Sequence, residues 1–171
     1  MNAHSVIHLW EMTRDAALTI CIDGGWAVDA LLGEQTRPHG DLDIALPAGE
    51  VRMLRALLAT EGFVEVPRRD SWEHNFVLEA PDGRILDVHS YELHPDGTNR
   101  VGVPYRADHL SGAGTIEGTR VRCVPPEHLV GFHTGYDIDE TDWHDVRLLC
   151  ARFDLSIPDA YARFRKTDEI R

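Results

Sequence analysis

Two short acidic patterns and a pair of glycines are the parts of this sequence best suited to chemistry. In the stretch from His39 to Leu46, Asp41 and Asp43 alternate with Leu42, Ile44 and Leu46. Strand periodicity therefore puts both carboxylates on one face and the apolar side chains on the other. No basic residue separates the two acids, so they repel, and a divalent cation is the obvious compensation. Magnesium suits oxygen ligands and keeps several waters while engaging phosphate oxygens. Alone, such a pair is also common as a solvated strand edge. The preceding Asp23-Gly24-Gly25 narrows the reading, because a short apolar run there turns into a helical pattern. Glycines permit close backbone approach, and the new helix offers unpaired N–H groups to phosphate oxygens. Asp87 alternates with Leu86 and Val88. If its strand lies beside that of Asp41 and Asp43, three carboxylates converge.

Other polar residues carry competing readings. Arg37 and His39 precede the acidic pair and are candidate triphosphate contacts, with a loop cap or a salt bridge as the alternative. His74 and Asn75 are placed to orient a loop or a ligand, and His89 nominally shares a face with Asp87. His128, His133 and His144 lack zinc-ligand spacing. His133 and Tyr136 are candidates for an acceptor wall, whereas Trp143, in an apolar helical stripe, is expected in the core. Cys21, Cys123 and Cys150 are too widely spaced for a metal cluster and read as buried free thiols.

The elements that must position these groups follow from periodicity and punctuation. Helical patterns cover 5–18, 26–32 with a stop at Gly33, 49–60, 126–134 and about 139–153, with a short helix after Pro158. Strands are expected at 18–22, 41–46, 63–66, 73–79, 84–89 and 121–124. Pro81-Asp82-Gly83 makes a hairpin of the 73–79 and 84–89 pair. Residues 90–119, rich in glycine, proline and polar groups, read as a lid or an irregular substrate loop. The ordering predicts an α+β fold: a central mixed sheet with a helical C-terminal portion.

Composition narrows the setting. The chain has 171 residues, enough for one domain with a real core. Neither a secretory signal nor a run of roughly 20 apolar residues is present, which points to the cytoplasm and away from membranes. Seventeen basic against 29 acidic residues give a net charge of -12, which repels nucleic acid and anionic membranes; solubility is one reading of it, and attraction for a cationic small molecule the other.

The combination DGGWAVDALLG, HGDLDIAL and LDVHSYE resembles the polymerase-beta-like nucleotidyltransferase superfamily. Within it, the chain looks most like antibiotic nucleotidyltransferases acting on lincosamides and aminoglycosides. The likeness continues through residues 72–79 and 125–150. It implies a nucleotidyltransferase core over 1–124, with the helical portion, 125–171, packed on the core or at a dimer interface. It implies ATP or another NTP as co-substrate, held by Gly24 and Gly25, with Arg37 and His39 nearby. Mg2+ would be bound at Asp41, Asp43 and Asp87, the three catalytic carboxylates, with Asp87 as general base or as a metal ligand only. The superfamily often carries serine after the first glycine, where this chain has Gly25. The expected reaction is transfer of a nucleoside monophosphate, AMP in the first instance, to an antibiotic hydroxyl. The acceptor that the resemblance implies is a cationic antibiotic, a lincosamide ahead of an aminoglycoside. A homodimer is expected, with apolar faces of helices around 126–134 and 139–153 available for contact. The alternatives are a protein-modifying enzyme of toxin–antitoxin type and a non-catalytic nucleotide-binding module.

Overall fold

A computed structural model describes residues 1–168; the last three residues of the expected C-terminal portion lie outside the described residues. The chain runs α1 (Ala3–Asp15), β1 (Cys21–Asp23), α2 (Gly24–Leu32), β2 (Leu42–Pro47), α3 (Val51–Ala59), β3 (Val64–Val66), β4 (Asn75–Glu79) and β5 (Ile85–Leu93). It continues as β6 (Asn99–Gly102), β7 (Gly112–Ile116), β8 (Thr119–Cys123), α4 (Pro126–Phe132), α5 (Glu140–Phe153) and α6 (Ala162–Asp168).

The strands form one mixed sheet in the order β3-β4-β5-β2-β1-β8-β7, with β6 added to β5. β2 runs parallel to β5, and β1 parallel to β8, while the other pairs are antiparallel. Leu42, Ile44 and Leu46 are at most 1% exposed. Burying each contributes about 1.5–3 kcal/mol, and a slip of one residue would turn all three out of the core. Hydrophobic burial thus fixes which way Asp43 points. α2 packs on β7, β2 and β1 and also touches α4 and α5, so the helical C-terminal portion braces the glycine turn.

The hairpin between β4 and β5 closes through Ala80–Arg84 as the turn residues indicate. The lid expected over 90–119 is instead mostly strand and short turn. β5 continues to Leu93, β6 folds back on it, and β7 pairs with β8. Apolar alternation is faint there because β6 is largely surface-exposed and β7 approaches α2 through glycine. A Cβ added at Gly114 would lie 2.3 Å from the Ala30 carbonyl oxygen. Of the two placements expected for the helical C-terminal portion, the apolar stripe of α5 takes the inner one, with Trp143 in the core. Trp143, Val146, Leu149 and Cys150 are buried within the one chain, and Trp143 stands against the rings of Tyr161 and Phe164. That part of the α5 face is therefore not available to a second subunit. All three cysteines are free and buried. Among the described residues, no helix is long and apolar enough to cross a membrane.

Candidate active site

Three adjacent strands place acids at one level of the sheet: Asp23 on β1 pairs in register with Asp43 on β2, and Asp43 with Asp87 on β5. Asp43, Asp87 and His89 converge, each offering one ligand atom within 4.8 Å of the others. Asp41 sits one residue ahead of β2, exposed and outside that group. Its charge nevertheless reaches Asp43. Burial first, and then repulsion from Asp41, push the Asp43 carboxyl up to about 7. The buried Asp87 Oδ1 atom makes no hydrogen bond, and His89 Nε2 lies 3.4 Å from it. An oxygen left without a partner beside a carboxylate whose charge is disfavoured fits a divalent cation better than a structural ion pair does.

The glycine turn abuts this group. Asp23 caps α2, its Oδ1 accepting the Gly24 N–H at 2.8 Å. Gly24 has φ +57°, and a Cβ there would lie 2.1 Å from Asp43 Oδ2. Only glycine gives both the backbone conformation and the room. At Gly25 a Cβ would meet Arg37 Nη2 and His39 Nδ1, each at 2.5 Å. The space a serine side chain would need is therefore filled by two nitrogen-bearing side chains.

Arg37 and His39 reach the turn, but both are also anchored. Arg37 donates from Nε and Nη2 to Asp145 at 2.9 and 2.6 Å, and His39 Nε2 lies 2.5 Å from Asp29 Oδ2. Asp29 Oδ1 accepts from the Thr36 amide and hydroxyl as well. The loop between α2 and β2 is thereby fastened to α2 and α5.

Two participants had little or no sequence signal. Tyr105 is buried and donates its hydroxyl to Asp23 Oδ2 at 2.5 Å, and His89 Nδ1 lies 3.2 Å from that oxygen. The phenol has one proton and gives it to Asp23, so His89 Nδ1 donates and its Nε2 faces Asp87. Burial opposes charge on His89, but Asp87, Asp43 and Asp23 together outweigh it and raise its pKa. Burial, and then Asp23, hold the Tyr105 phenol far above its ordinary value, so it stays protonated. A hydrogen-bonded path thus runs from His89 through Tyr105 and Asp23 to the first amide of α2, with Asp87 3.4 Å from its outer end. Asp23 stood beside the glycines but read only as their neighbour, and Tyr105 lay in the stretch taken for a loop.

Beside this path is an open cavity of about 350 Å³, lined by Asp23, His89, Val103, Tyr105, Phe132 and Thr134 among others. His133 does not line it. That ring is buried, with Nδ1 bonded to the Leu129 carbonyl oxygen and Nε2 3.7 Å from Asp145. Asp139 and Asp142 form a reciprocal cap at the start of α5.

A mixed sheet carrying paired acids on neighbouring strands, next to a glycine turn that opens a helix, defines a nucleotidyltransferase. The aminoglycoside-2''-adenylyltransferase family model matches residues 5–149, and the chain belongs to that family. It is 28% identical over 150 residues to a lincosamide resistance protein of Staphylococcus haemolyticus, covering 84% of this chain and 91% of the relative. It is also 28% identical over 140 residues to a 2''-aminoglycoside nucleotidyltransferase of Escherichia coli, covering 78% and 77%. Among solved structures, the lincomycin-bound lincosamide antibiotic adenylyltransferase LnuA superposes with a TM-score of 0.75 at 25% identity, over 87% of this chain and 96% of that one. ANT(2'')-Ia in complex with adenylyl-2''-tobramycin shares the fold, with a TM-score of 0.69 at 24% identity over 87% and 88%.

Proposed function

We propose that this enzyme transfers AMP from ATP to a hydroxyl of a lincosamide or aminoglycoside antibiotic, with Mg2+ held by Asp41, Asp43 and Asp87. The observation that carries the reading is Asp87 Oδ1, without a hydrogen bond, beside Asp43, whose carboxylate abuts Gly24 at the start of α2. Bound there, the metal would neutralise charge developing on the triphosphate and lower the pKa of the acceptor hydroxyl. The chain's own groups do the positioning. Gly24 and Gly25 let phosphate oxygens approach the amides of α2. Arg37 and His39 hold positive or donor character over that turn while their carboxylate partners fix them in place. Asp87 is the first choice to take the acceptor proton, as the one carboxylate on β5. The acceptor oxygen attacks the α phosphorus, its bond to pyrophosphate breaks, and the hydroxyl proton passes to Asp87. His89, bridged to Tyr105, orients Asp87 for that task.

The cavity beside His89 and Tyr105 is the favoured acceptor wall. Its Val103, Pro104, Tyr105 and Phe132 surfaces suit an amphiphilic, singly charged lincosamide. Incubation with Mg2+, ATP and either lincomycin or a kanamycin-like aminoglycoside, followed by mass determination, tests this. A mass increase of one AMP on lincomycin, with weaker turnover of the aminoglycoside, is expected. Preference for the aminoglycoside would reverse the order, and ATP-dependent labelling of protein instead would reject the antibiotic. A homodimer belongs to the same reading; sedimentation that stays monomeric across concentrations would remove it.

A further inference from the structure

Outside the carboxylate centre, the fold assembles a second set of metal-type side chains that sequence spacing conceals. The 3-10 turn at 108–110 follows Tyr105 closely, and α4 carries His128 in its first turn. Asp108, His109 and His128 each offer a ligand atom within 4.8 Å of the others. The two imidazole rings are in contact, with centroids 4.5 Å apart. His128 Nε2 lies 3.7 Å from Asp108 Oδ2, while Arg106 Nε donates to the other oxygen, Oδ1, at 3.3 Å. Arg106 thus turns Asp108 so that its second oxygen faces the histidine, as outer partners orient metal ligands. His109 Nδ1 accepts a long, 3.3 Å bond from the Arg106 amide, one that bound metal could replace at an exposed turn.

We propose that Asp108, His109 and His128 form a second divalent-cation site that takes a zinc-class ion in preference to magnesium. Two imidazoles and one carboxylate suit Zn2+, Co2+ or Ni2+, whereas magnesium favours all-oxygen shells. Neighbouring ligands of a tetrahedral zinc ion lie about 3.4 Å apart, given bonds of about 2.1 Å. The three groups therefore need only draw inward, and the exposed Asp108 leaves both an entry path and a fourth position for water. The location gives the site a consequence. His109 stands edge-on to Phe132, and Phe132 edge-on to Tyr105. Tyr105 and Phe132 line the cavity beside Asp23, so the ion would staple the 108–110 turn to α4 where two cavity walls meet.

The inference is independent of nucleotidyl transfer, and its test reads metal alone. The chelator-treated full chain, in excess Mg2+ to occupy the carboxylate centre, is titrated with Zn2+ against a chromogenic chelator. One zinc per wild-type chain is expected, also raising thermal stability. His109→Ala and His128→Ala should each weaken that binding at least about 100-fold. Asp87→Asn should keep it, and zinc-free melting should show each variant folded. No zinc uptake by the wild type, or uptake unchanged in both folded histidine variants, would overturn the proposal. Uptake abolished by Asp87→Asn but not by the histidine changes would do the same.

Discussion

Two charged regions face each other across the start of α2, and they treat their charges oppositely. In the loop between α2 and β2, each basic side chain has a carboxylate of its own: Arg37 has Asp145, and His39 has Asp29. In the strand centre, Asp23, Asp43 and Asp87 share one basic neighbour, His89, and Asp87 Oδ1 has no hydrogen-bond partner. The paired region reads as scaffold and the unpaired one as the place where ligand charge completes the structure. A buried polar atom left unsatisfied costs about 1–3 kcal/mol, so the fold keeps the strand centre at the expense of stability.

Substitutions should therefore separate along the same line. The largest expected effect is on turnover. Asp87→Asn should lower kcat more than about 100-fold, because loss of even an outer partner of a metal site costs about 10–100-fold. Its melting curve should match or exceed that of the wild type. Next, Arg37→Ala takes from buried Asp145 its bidentate partner, leaving His133 Nε2 at 3.7 Å, and should cost about 3 kcal/mol or more of unfolding free energy. Urea denaturation reads this directly, and a stability loss below about 1 kcal/mol would mean the pair is not scaffold.

A smaller effect, opposite in sign, is expected at Asp43. Its folded pKa, about 7, lies above that of an unfolded aspartate, about 3.9. The native state therefore holds the proton more tightly. The associated stability is present at acid pH and is lost as pH rises through about 7. In chelator, Asp43→Asn should remove this loss and melt a few °C above the wild type near pH 8, with the difference closing towards pH 4. Equal melting at both pH values would contradict the unpaired-charge reading. The smallest change is Tyr105→Phe, which cuts the path between His89 and Asp23. A drop in kcat of about tenfold with KM for ATP little altered is expected, since hydrogen bonds to charged groups contribute about 1.5–3 kcal/mol. A shift confined to KM would place Tyr105 in binding instead.

The same contrast explains what the sequence could show. Alternation at Leu42, Ile44 and Leu46 exposed β2 and the face on which Asp43 stands, because a half-buried strand writes its burial into every second residue. Asp87 was legible for the same reason, and the glycine turn because only glycine fits it. Tyr105 was not, since its partners Asp23 and His89 come from distant strands and β6 and β7 carry little apolar alternation. Nor were the partners of Arg37 and His39. The salt-bridge alternative was visible, but Asp145 lies 108 residues away in sequence, and α5 delivers it only through tertiary packing.

The most direct test of the central claim compares Mn2+ binding, read by electron paramagnetic resonance in the presence of a non-hydrolysable ATP analogue, in the wild type, Asp87→Asn and Tyr105→Phe. Unpaired carboxylates that complete their shell with metal predict tight Mn2+ uptake by the wild type and Tyr105→Phe, and uptake weakened more than about 100-fold in folded Asp87→Asn. Undiminished uptake by folded Asp87→Asn would show that the metal is held elsewhere and contradict the account.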